Sequence, residues 1–154
     1  MIGAYDCNGY GAVSHERVFI GLGTNLGADL DKNLREALDA IRQLPETDVV
    51  QVSSFMRTAP WGVTDQPPFL NAVAEIRTRL EPLPLLQALK KLESTLGRVP
   101  TYRWGPRLID FDIILYGTRS VDLPELTIPH PRYQEREFVL HPLAEIAPEL
   151  VPRR

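Results

Sequence analysis

The period of the apolar residues along this chain changes in the order two, about 3.6, two, two, about 3.6, two, and few folds accept that order. Arg17 to Leu22 is apolar and β-rich, a first strand. Asp29 to Leu44 reads as a helix, with Leu30, Leu34, Ala37, Leu38 and Ile41 on one stripe, Asp29 or Asp31 as its cap and Pro45 as its stop. Asp48 to Met56 is predicted as a strand, carrying Val49, Val50, Val52 and Phe55. Phe69 to Thr78 alternates: Leu70, Ala72, Ala74 and Ile76 form a core face, and Phe69, Asn71, Val73, Glu75 and Arg77 share the other. A second helix starts at Pro82 or Pro84 and runs to Leu96, with Leu85, Leu89, Leu92 and Leu96 as its stripe and Gly97 after it. Ile109 to Tyr116 is the fourth strand.

Strand, helix, strand, strand, helix, strand is the ferredoxin-like split βαβ pattern. The expected class is α+β, a βαββαβ sheet with helices packed on one face plus extra C-terminal elements. Those extras are a connector from Gly117 to Leu126, which has room for a short edge pair, and an apolar stretch from Val139 to Leu150, helical around Leu143 to Ile146. The segment Gly21-Leu22-Gly23-Thr24-Asn25-Leu26-Gly27 superficially resembles a phosphate loop. It lacks the Walker lysine and has the wrong dinucleotide spacing, so it reads as a tight strand-to-helix turn with Asn25 within reach of a ligand. With 154 residues and no repeats, residues 17–154 are expected to form one domain, preceded by a flexible extension over residues 1–16.

Charge narrows the function. The net charge of −3 argues against a nucleic-acid binder, so a local cluster of arginines points to an anion site instead. RNA-recognition domains share the topology but place aromatics on central strands. One cysteine, Cys7, allows no internal disulfide, and no apolar run approaches a spanning helix or a signal segment. A cytoplasmic protein is the expectation, and a monomer.

The stretch Arg103-Trp104-Gly105-Pro106-Arg107-Leu108-Ile109-Asp110-Phe111-Asp112-Ile113-Ile114-Leu115 carries the most chemistry. A basic turn holding an indole leads into a strand in which Phe111, Ile113 and Leu115 are expected to face the core and Asp110 and Asp112 the other side. Two readings fit such a pair: the wet face of a half-exposed sheet, or an anchor for a divalent cation whose other ligands are phosphate oxygens. Neighbouring carboxylates repel unless a cation lies between them, and the arginines upstream suit bidentate phosphate binding. A long loop, Arg57 to Pro68, precedes Phe69 and contains Trp61, which argues against disorder. Phe69 and Asn71 stand together beside it. They are either an edge aromatic with a neighbouring amide, or a pair that stacks on a flat heterocycle and hydrogen-bonds its edge. His130, between Pro129 and Pro131, is held in extended backbone; it is either a surface residue or a phosphate contact.

Together these residues resemble the 6-hydroxymethyl-7,8-dihydropterin pyrophosphokinase family, over nearly all of the chain from Val18 to Leu150. The resemblance rests on Arg103-Trp104-Gly105-Pro106-Arg107 with Ile109-Asp110 and Asp112-Ile113, on Thr58, Pro60 and Gly62, on Gln66, Phe69 and Asn71, and on Pro129-His130-Pro131-Arg132 with Arg136 and Phe138. It implies transfer of pyrophosphate from ATP to the hydroxymethyl of the dihydropterin, with release of AMP. It further implies two Mg2+ ions held by Asp110 and Asp112, and catalytic Arg98 and Arg107 on the phosphates. His130, Arg136, Trp104, Ile113, Thr127 and Glu93 would lie around ATP. The pterin would stack between Phe69 and Phe138, with Asn71, Thr58, Pro60 and Trp61 at its edge. Pro100 stands where many members carry further basic residues, and Met56 where a Tyr is common. The alternative is a non-catalytic module that binds a nucleotide or pterin. Such a module has no use for paired carboxylates, which repel phosphate when no metal intervenes.

Overall fold

The computed structural model describes residues 16–58, 68–97 and 108–151. β1 (Val18–Thr24) runs antiparallel between β4 (Phe69–Thr78) and β5 (Asp110–Tyr116). β2 (Thr47–Val52) and β3 (Met56–Thr58) pair in succession with the far edge of β4. The sheet order is therefore β2-β4-β1-β5, with β3 beside β4. α1 (Leu30–Arg42) follows β1, and α2 (Pro82–Leu96) follows β4. Leu34, Ala37, Leu38 and Ile41 of α1 and Leu85 and Leu89 of α2 share one buried cluster with Ile20, Leu22, Leu70, Ala72, Ala74, Ile76, Phe111 and Ile113. Both helices thus lie on one face, and the ferredoxin-like α+β arrangement is borne out. The Asp29 carboxylate caps α1 by accepting the Lys32 N–H at 3.0 Å. β6 (Val121–Leu123) and β7 (Leu126–Ile128) form the short pair that the connector had room for. No described helix is long and apolar enough to cross a membrane.

The other face is half covered. α3 (Glu137–Ile146) packs Val139 and Leu143 against Phe19, Val73, Ile114 and Leu115. Polar groups fasten its end to the sheet. Arg17, whose guanidinium lies over the Phe19 ring, donates to Glu75 from Nε at 3.1 Å and Nη2 at 3.0 Å. Gln51 Nε2 donates to Glu75 Oε1 at 2.7 Å and to the Ile146 carbonyl at 3.0 Å. Burial alone would raise the Glu75 carboxyl, but these hydrogen bonds outweigh it and hold the group below its ordinary value.

Local differences from the sequence-based expectations have local causes. The predicted strand Asp48–Met56 is two strands. Ser53 interrupts it, its N–H donating to the Val73 carbonyl and its hydroxyl accepting the Val73 N–H, each at 2.9 Å. The predicted turn from Gly21 is strand up to Thr24, because β4 and β5 pair with it on both sides. Leu115, expected on the face of Phe111 and Ile113, faces α3 instead. The register slips by one residue between Phe19 and Ile20, and one extra residue reverses the alternation beyond it. α3 begins at Glu137, well before Leu143. The expectation for residues 1–15 lies outside the described residues.

Candidate active site

The part of the sheet that α3 leaves to other uses has a floor made of glycine. Gly23 pairs with Asn71 on one side and Asp110 on the other; Gly21 pairs with Val73 and Asp112. Directly paired residues of neighbouring strands point to the same face. Two carboxylates therefore line one side of a trough and an amide the other, about 10 Å apart across two strand spacings. A Cβ on Gly23 would stand 3.0 Å from Asn71 Oδ1 and 3.7 Å from Phe69 Cδ1. One on Gly21 would stand 3.0 Å from Ile114 Cδ1 and 3.9 Å from Asp112 Cβ. Glycine lets Asn71 and Phe69 pack close over the strand at Gly23, which is itself buried, while Gly21 is partly exposed.

On the amide side, Asn71 is only 6% exposed and its Nδ2 donates to Thr58 Oγ1 at 2.7 Å. That bond fixes which way the amide points, with Oδ1 directed over Gly23. Thr58 is on β3, directly paired with Phe69, so the hydroxyl, the amide and the ring belong to one cluster. Phe138, in the first turn of α3, is partly buried against the α3-side core, and the Arg136 guanidinium lies 5.5 Å from its ring centroid. The Nε of Arg136 is buried with no hydrogen-bond partner among the described residues, a donor in need of an acceptor.

On the acid side, Asp110 and Asp112 are half-buried on β5, the edge strand, as their alternation predicts. Glu93 of α2 accepts the Phe111 N–H at Oε2 from 2.8 Å, and Lys90 lies 3.4 Å from its Oε1. Burial pushes the Glu93 carboxyl above its ordinary value; the Phe111 N–H opposes this and the Asp110 charge adds to it. Ile113 is 3% exposed in the helix-side core, so its backbone rather than its side chain is available on the open edge of β5. His130 is tied to that strand, its N–H donating to the Ile114 carbonyl at 2.9 Å. Its Nδ1 accepts the Arg132 N–H at 3.2 Å, which places the ring proton on Nε2. Burial first, and the Arg136 charge second, push its pKa down, so the ring is neutral at pH 7. Thr127 is exposed on β7, paired with Asp122. Arg98, Arg107, Trp104, Pro60 and Trp61 lie outside the described residues.

Among the described residues no set of three or more His, Cys, Asp or Glu could form an all-protein metal cage. The donors that are present, two carboxylates on one strand, fit a hard divalent ion that takes its remaining ligands from water and phosphate.

The model of the 7,8-dihydro-6-hydroxymethylpterin-pyrophosphokinase family matches residues 19–148, which takes in both sides of the trough. The chain belongs to this family. The 2-amino-4-hydroxy-6-hydroxymethyldihydropteridine pyrophosphokinase of Pseudomonas aeruginosa is 49% identical to it over 135 residues, covering 88% of this chain and 83% of the relative. The protein of the same name from Haemophilus influenzae is 48% identical, covering 86% and 82%. Among solved structures, a Plasmodium falciparum HPPK-DHPS chain with pteroate superposes with a TM-score of 0.66 at 13% identity, over 84% of this chain and 38% of that one. At that identity the likeness concerns the fold of this pyrophosphokinase family and nothing finer. Sequence reasoning overlooked the part that Gly21 and Gly23 play. Their signal was present as Gly-x-Gly beside a β-rich run, but only pairing on both sides makes them strand.

Proposed function

We propose that this chain transfers a pyrophosphoryl group from ATP to the hydroxymethyl group of 6-hydroxymethyl-7,8-dihydropterin, releasing AMP, as a step of folate biosynthesis. Membership of the pyrophosphokinase family supports the reaction. The observation that carries the site is the glycine-floored trough, with Asp110 and Asp112 on one side and Asn71, Thr58 and Phe69 on the other.

The pterin lies over the trough. Phe69 and Phe138 stack on it, and the Asn71 amide, oriented by Thr58, reads its amino-pyrimidinone edge with Oδ1 as acceptor. Thr58, Pro60 and Trp61 complete that end. ATP lies along the open edge of β5, its base and ribose near Ile113 and Thr127. His130 donates from Nε2–H to a phosphate oxygen, and the unpaired Nε–H of Arg136 does the same. Arg98, Arg107 and Trp104 belong to the same phosphate end. Asp110 and Asp112 would hold Mg2+, as two ions. Bound there, the metal neutralises charge on the phosphates and aligns the attacking and leaving oxygens.

In the step itself the hydroxymethyl oxygen forms a bond to the β-phosphorus. The bond from that phosphorus to the α–β bridging oxygen breaks, and its electron pair leaves with AMP. The hydroxyl proton passes to solvent. Positioning therefore supplies most of the rate, as is usual for phosphoryl transfer. Incubating the purified protein with ATP, Mg2+ and the dihydropterin tests the reading. AMP and the pterin pyrophosphate should appear in equal amounts, and only when Mg2+ and both substrates are present. Tight pterin and nucleotide binding without AMP would identify a binding module instead.

A further inference from the structure

Glu93 has a carboxylate that the reaction above does not use. We infer that it is a positioning residue, which keeps Asp110 and Asp112 aimed into the trough by pinning the peptide between Asp110 and Phe111. The inference rests on the proposed role of the two aspartates.

Among the described strands β5 is the edge of the sheet, so the N–H groups on its outer side have no described strand to bond. Phe111 lies between the two aspartates in sequence, and its N–H points to that side, where Glu93 Oε2 accepts it at 2.8 Å. The N–H lies in the peptide plane that joins Asp110 to Phe111. Holding that plane fixes the Asp110 ψ and Phe111 φ torsions, and with them the direction of one carboxylate relative to the other. Without the bond the plane is free to rock at the open edge, and the carboxylates no longer share one fixed cation position.

Glu93 is itself held from behind. Its backbone carbonyl accepts the Gly97 N–H at 2.8 Å, closing the end of α2. A Cβ at Gly97 would come within 2.9 Å of that carbonyl, so the turn leaves little room for Glu93 to shift. The electrostatics of the placement are mixed: the carboxylate lies near the C-terminus of a helix and close to Asp110, and Lys90, 3.4 Å away, offsets part of that repulsion. Outer groups that orient metal ligands are worth about 10- to 100-fold in metal affinity when removed.

The test uses Glu93→Met, which fills the space without an acceptor, and Glu93→Gln, which retains one. In the metal-free protein, exchange of the Phe111 amide should speed up by about tenfold or more in Glu93→Met and stay near wild type in Glu93→Gln. Mn2+ affinity, measured by electron paramagnetic resonance with a non-hydrolysable ATP analogue, should weaken by about 10- to 100-fold in Glu93→Met and be largely restored in Glu93→Gln. The pterin KM should not move. Three results overturn the inference: a wild-type Phe111 amide that exchanges as fast as a free edge amide, unchanged Mn2+ affinity in Glu93→Met, or a loss of metal-free nucleotide binding in that variant, which would mark Glu93 as a direct ligand. The first of these needs no variant to fold. A wild-type protein that makes no AMP would instead overturn the proposed reaction, while amide exchange still reports on Glu93.

Discussion

Replacing Gly23 by alanine tests the trough directly. The added methyl would lie 3.0 Å from Asn71 Oδ1, where carbon and oxygen in ordinary contact stand several tenths of an ångström further apart. Asn71 cannot swing away freely, because it is buried and its Nδ2 is bonded to Thr58 at 2.7 Å. Either that bond stretches or the Oδ1 leaves the position proposed to read the pterin. Losing one hydrogen bond, with partial exposure of a buried amide to an unsatisfied state, costs about 1–3 kcal/mol. Pterin affinity should then fall by about 5- to 150-fold. Folding stability should fall by less than that free energy, since alanine loses less backbone entropy on folding than glycine and offsets part of the lost bond. Gly21→Ala is the control: its methyl meets the far end of the Ile114 side chain, which can turn aside, so pterin binding should weaken much less. Calorimetric titration of the dihydropterin into each variant, with an ATP analogue present, gives the answer. Equal affinities in Gly23→Ala and wild type would refute the reasoning, as would equal weakening of pterin and nucleotide.

Asp112→Asn should keep the fold and lower AMP release by about 10³-fold or more, the scale of a lost metal-binding charge; near-normal turnover would separate the carboxylates from catalysis. His130 has a folded pKa below its unfolded value of 6.5, so the unfolded chain binds the extra proton first. Stability should be full above that value and fall as pH drops through the depressed folded pKa, and His130→Asn should flatten this slope in urea unfolding followed across pH. Glu75→Ala removes the acceptor for two Arg17 donors and for Gln51. Arg17 is partly solvated and retains Glu149, so the loss should be about 1–3 kcal/mol, read as a lower urea midpoint.

What could be read in the sequence divides by range. The element order, the Asp29 cap and the Asp110–Asp112 face depend on neighbours within a few residues, and periodicity carries that information. Gly21 and Gly23 went the other way. Glycine has poor intrinsic strand preference, so a local reading makes it a turn. It is strand here because residues about 50 and 90 positions later pair with it, and no local propensity reports that. The reversal at Leu115 has the same origin: one extra residue opposite Phe19 and Ile20 exchanges the two faces, and nothing in Ile113-Ile114-Leu115 itself distinguishes a bulge from regular strand. The site shows the division most plainly. The types of its residues were legible because paired acids, an amide beside a ring, and a histidine between prolines are each unusual. Their joint use was implied only by the family resemblance, because their placement on one face depends on two glycines that carry no chemistry. A floor is recognised only once the strands on both sides of it are in register, and it is the two glycines that leave no side chain between the carboxylates on β5 and the amide on β4.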